Sequence, residues 1–138
     1  MTPPPSPAAP ELLSELQRLT AGLLYRSESD APLQVVTCAQ PAGDVPSAAF
    51  LLALGEPAGA PTRVVSLAFF LRNHTAATQD PQGQPIAERY QALQAFMEEH
   101  LRAVQVYRVG SEPRLNAYAL GEAAGGQLAG FKTVLTET

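Results

Sequence analysis

Two histidines, one cysteine and a few carboxylates on short turns are the groups able to do chemistry in this 138-residue chain. His100 follows Glu98 and Glu99 at the end of a helical pattern, where a cation faces the negative end of the helix dipole, so its reading is structural. His74, within Arg72-Asn73-His74, invites comparison with the general base of a nuclease. It has no neighbour at the spacings that build zinc or Mg²⁺ sites. A hydrolase centred on His74 with nearby acids therefore stands as a rival reading, and it requires His74 in a pocket beside a carboxylate. There is no Gly-x-Ser-x-Gly elbow, no P-loop and no dinucleotide fingerprint. Cys38 is alone, which rules out an internal disulfide and fits a reducing compartment. Its position at the end of a β-branched run suits a packed core thiol.

What remains is acidic. Ser27-Glu28-Ser29-Asp30 interrupts two apolar segments, Thr78-Gln79-Asp80 sits in a polar loop, and Thr136-Glu137-Thr138 closes the sequence. Carboxylates and hydroxyls on short turns supply hard oxygens and negative charge, which pair with guanidinium groups or approach a metal held by another molecule. Each loop also has a bland reading as a solvated turn. Loops held by a rigid scaffold are where function concentrates, so the scaffold must be read next.

Residues 1–10 contain five prolines and read as an extended tail. Residues 11–138 then read as a single domain. Leu12, Leu13, Leu16, Leu19, Leu23 and Leu24 recur at helical spacing, which predicts an amphipathic helix over residues 11–24. Residues 33–38 are short and β-branched, a strand. The apolar run at 47–54 suits a short helix between a Ser47 cap and Gly55, and a buried strand is not excluded. Residues 64–71 read as a strand giving way to a short helix near Phe69. Ile86, Tyr90, Leu93, Met97 and Leu101 predict a second long helix. Strands at 104–109, 115–120 and 127–136, separated by short turns, predict an antiparallel meander. The expected class is α+β: a three-layer αβα sandwich whose largely antiparallel sheet ends in that meander.

Nine basic against thirteen acidic residues give a net charge of −4, which favours a partner with a positive surface over a phosphate backbone. Tyr107, Tyr118 and Phe131 on the meander admit an RNA-stacking reading, with core packing the cheaper account. No signal segment or membrane-spanning run is evident, so the expected setting is cytoplasmic.

The stretches GLLYRSESDAPLQVV, VVSLAFFLRNHT followed by TQD, and AVQVYRVGSEPRLNAYALGEAAGGQLAGFKTVLTET resemble the nuclease A inhibitor family, small proteins that inhibit sugar-non-specific DNA/RNA endonucleases. The similarity spans residues 11–138 and is weakest over 39–62. It implies the αβα fold and a protein partner, bound one-to-one by a monomer without a cofactor or metal of its own. It implies that an acidic loop and a C-terminal threonine enter the nuclease cleft. By that resemblance the loop glutamate falls on Glu28 with an acid at Asp30, the central Gln-Asp pair on Gln79 and Asp80, and the threonine that reaches the partner's Mg²⁺ on Thr138, preceded by Glu137. One departure stands out. After the Gln-Asp pair the family has tryptophan, and here the residue is Pro81. Aromatic anchors of this kind are worth about 2 kcal/mol or more, roughly thirtyfold in affinity. A binding module of the same fold with another partner is therefore the second alternative.

Overall fold

A computed structural model describes residues 9–38, 48–76, 81–111, 113–123 and 126–136. The expected α+β class is what it shows. Helix α1 (Ala9–Thr20) buries Leu12, Leu16 and Leu19. It ends four residues short of the sequence expectation. Gly22 adopts φ +75°, which favours glycine, and Arg89 from a later helix donates to the carbonyl oxygens of Ala21 at 2.6 Å and Leu19 at 3.3 Å. Leu23 is still buried, but from the turn, because an inward leucine satisfies the same spacing in either state.

Strand β1 (Leu24–Arg26) pairs antiparallel with β2 (Asp30–Pro32), with Arg26 opposite Asp30. This small hairpin stands apart from the main sheet. Strand β3 (Gln34–Cys38) follows, then helix α2 (Ala48–Ala53), which Gly55 ends at φ +82°. The 47–54 run is thus helical, while Ser47 lies outside the described residues. Strand β4 (Thr62–Val65) leads into α3 (Leu67–Phe70), capped by the Ser66 hydroxyl accepting from the Phe69 amide at 3.1 Å. A one-turn helix, α4 (Arg72–Thr75), then carries His74. Helix α5 (Gln84–His100) precedes the meander β5 (Arg102–Ser111), β6 (Arg114–Glu122) and β7 (Leu128–Thr136).

The five-stranded sheet runs β3-β7-β6-β5-β4, antiparallel throughout. Period-two alternation divides the core. Leu115, Ala117 and Ala119 of β6 pack with Leu12 and Leu16 of α1 and Leu93 and Met97 of α5. Tyr118 and Leu120, from the opposite face of the same strand, join Phe50 and Leu51 of α2. The Glu56 carboxylate fastens the segment after α2 to that second face, accepting from Asn116 Nδ2 at 2.7 Å and from the Tyr118 hydroxyl. Tyr107, Tyr118 and Phe131 are all buried, so the meander offers no aromatic platform for RNA bases. Cys38 is only half-buried against the second cluster, less enclosed than a core thiol. Among the described residues no helix is long and apolar enough to cross a membrane.

Candidate partner-binding site

The hairpin tip Ser27-Glu28-Ser29 joins two three-residue strands, too short to be stable alone. Its support comes from both sides. Beneath it, the Tyr25 ring stacks on Phe70 (centroids 4.4 Å apart) and on His74 (4.2 Å), and the Tyr25 hydroxyl donates to the Phe70 carbonyl at 2.9 Å. The Arg26 amide donates to His74 Nε2 at 2.9 Å. An accepting Nε2 places the proton of the neutral ring on Nδ1. The Tyr90 hydroxyl donates to the Leu24 carbonyl, and burial raises its pKa, which keeps it a donor. Thr133, itself buried, donates to the Pro32 carbonyl at 3.1 Å.

Above, the tip is tied to the end of β7. The Glu28 amide donates to the Thr136 carbonyl at 3.1 Å, and the Thr136 amide donates to Ser27 Oγ at 2.9 Å. The Ser29 and Thr136 hydroxyls share a hydrogen bond at 2.6 Å. Within the tip, the Ser27 amide closes the turn on the Ser29 carbonyl at 2.9 Å. Residue Thr136 is therefore held against the acidic loop by three contacts, each reaching across more than a hundred residues of sequence.

Beside the tip lies an open cleft of about 460 Å³. Its lining includes Arg26, Ser27 and Glu28 from the hairpin, Phe69, Arg72 and Asn73 from α3 and α4, and Arg108 and Leu135 from the sheet. The Arg72 guanidinium lies 3.8 Å from the Phe69 ring centroid and donates to the Phe69 carbonyl at 2.6 Å.

Of the residues expected at an interface, Glu28 is exposed at the hairpin tip and Asp30 is exposed at the first position of β2. The structure brings these two together on one hairpin. Gln79, Asp80, Glu137 and Thr138 lie outside the described residues. Pro81 is exposed just ahead of α5. The hydrolase reading does not meet its requirement among the described residues. Among the described residues His74 touches Tyr25, Tyr90 and the Arg26 amide, and none of these is a carboxylate. Burial, and then the Arg26 charge, hold its pKa below the usual histidine value, so it is a neutral acceptor under the hairpin. Sequence reasoning did not assign roles to Ser27, Ser29, Arg26 or the side chain of Thr136. The two hydroxyls flanking Glu28 were the available signal, since serine in a turn bonds nearby backbone.

No curated protein matches the chain. A family model described as nuclease A inhibitor-like protein matches residues 10–138, nearly its whole length. The chain belongs to the nuclease A inhibitor-like protein family.

Proposed function

We propose that this protein inhibits a Mg²⁺-dependent, sugar-non-specific endonuclease by filling its active-site cleft. The observation that carries the reading is the tie between residues 27–29 and Thr136. It holds Glu28 beside Thr136. Two further residues reach about 7 Å at most when extended, so on this reading Thr138 would act beside Glu28. A nuclease holds cationic side chains and Mg²⁺ ready for a phosphate. Glu28 would pair with a guanidinium of the partner, and Thr138 would offer a hard oxygen to the partner's metal. Asp30 and Glu137 add negative charge beside them, and Gln79 and Asp80 would meet the rim. The inhibitor thus copies the charge of the substrate without a scissile bond.

The second reading, a different protein partner for the same patch, is favoured by Pro81. It is exposed where the resembling family carries tryptophan, so an aromatic anchor is missing. The test is plasmid degradation by a purified sugar-non-specific endonuclease in Mg²⁺. The protein is titrated in beside a version lacking Thr138. Stoichiometric inhibition that the shortened version loses supports the reading. No inhibition by the folded full chain transfers the patch to another partner.

A further inference from the structure

An acidic chain has placed three of its nine basic residues, Arg26, Arg72 and Arg108, around one cleft, and that cleft abuts the acidic tip. Arg26 and Arg72 are exposed and, among the described residues, neither is ion-paired with a carboxylate. Arg72 is nonetheless positioned, by the Phe69 ring beneath it and the Phe69 carbonyl it donates to. Phe69 itself is 50% exposed and forms an apolar wall. Guanidinium groups held on an aromatic face suit planar, bidentate recognition of a carboxylate.

We infer that this cleft receives an acidic side chain of the partner protein, so that the interface is bipolar. The partner's carboxylate sits on Arg26 and Arg72, and its neighbouring cation sits on Glu28. Glu28 lines the same cleft and would repel a free polyanion, which is why an alternating protein surface fits better than nucleic acid. The inference rests on the reading of the protein as a nuclease inhibitor and adds what that nuclease must present: an acid within a side chain's length of the cation that Glu28 meets.

The experiment compares inhibition of a purified sugar-non-specific endonuclease by the wild type, Arg26→Ala with Arg72→Ala, and Arg26→Lys with Arg72→Lys. Thermal melting is followed alongside, so that loss of fold is separated from loss of binding. The expected result is weakening of about tenfold or more in the alanine pair, with much of it recovered in the lysine pair, which keeps the charge. Unchanged inhibition by a folded alanine pair overturns the inference and leaves the inhibitor reading standing. Unchanged inhibition together with saturable inorganic phosphate binding that the alanine pair loses reassigns the cleft to a small anion. No inhibition by the wild type removes the nuclease reading and this inference with it.

Discussion

Replacing His74 by alanine removes three interactions from beneath the acidic hairpin. The ring stacks on Tyr25 at 4.2 Å, leans on Tyr90 at 4.9 Å and accepts from the Arg26 amide at 2.9 Å. A net hydrogen bond contributes about 1 kcal/mol and each of the two ring contacts about 0.5–1.5 kcal/mol, so the expected loss is roughly 2–4 kcal/mol. For a domain of this size that lowers Tm by roughly 6–20 °C. His74→Gln keeps an acceptor for the Arg26 amide and should recover about 1 kcal/mol of it. The same side chain gives a pH signature. Its folded pKa is depressed from 6.5, by burial first and the Arg26 charge second. Between the folded value and 6.5 the unfolded chain binds more protons than the folded one, so stability falls as pH drops below 6.5. Above 6.5 the neutral ring contributes fully. The wild type minus His74→Gln difference in unfolding free energy, measured by urea denaturation from pH 7.5 downward, should therefore shrink on acidification. Inhibition should weaken in parallel, because the hairpin that carries Glu28 loosens. An alanine variant within about 0.5 kcal/mol of wild type, or a difference that grows on acidification, would refute the assignment of His74 as a support. The hydrolase reading requires loss of a catalytic activity with stability unchanged.

On the proposed function, Glu28→Gln should weaken nuclease inhibition by about tenfold or more, because it removes the charge offered to a guanidinium of the partner; unchanged inhibition would count against that role. The association rate of the wild type should fall with added salt, since opposite fields steer the encounter; surface plasmon resonance reads both, and a salt-independent rate counts against the electrostatic reading. Ser27→Ala removes the acceptor of the Thr136 amide and should speed hydrogen exchange there about fivefold, equivalent to about 1 kcal/mol, with little global effect; unchanged exchange would mean the tie is not formed in solution. Gly130→Ala should destabilise by about 3 kcal/mol or more in denaturant unfolding, because a Cβ there would stand 1.8 Å from the Ala119 carbonyl oxygen within the β6–β7 pair; wild-type stability would mean that the two strands are not so closely paired.

Much of the scaffold is legible in the amino-acid order because its signals are local. Leu12, Leu16 and Leu19 mark α1, and Tyr90, Leu93 and Met97 mark α5, each by a spacing that a helix alone converts into one face. The meander declares itself through short apolar or alternating runs broken by turns rich in glycine or proline, and a short turn leaves little choice but antiparallel pairing. The acidic loop was visible as Glu28 and Asp30 between apolar segments, and the family resemblance gave it a meaning that residue spacing did not. Local pattern could not end α1 at Thr20, because that depends on Arg89 arriving from α5 at the Ala21 carbonyl. Nor could it find the tie at the hairpin tip. Ser27 and Thr136 are 109 residues apart, and a hydroxyl carries no mark of the distant amide it will accept. His74 looked like chemistry in one dimension because a histidine's role is set by what surrounds it. Folding surrounds this one with two tyrosine rings and a backbone amide, 48 residues away in sequence at Arg26, and makes it a strut. Composition and periodicity determined the elements and their inward faces; only the tertiary structure decided which loops share a patch, because closing strands from opposite ends of the chain onto one sheet brings together residues that no sequence window contains.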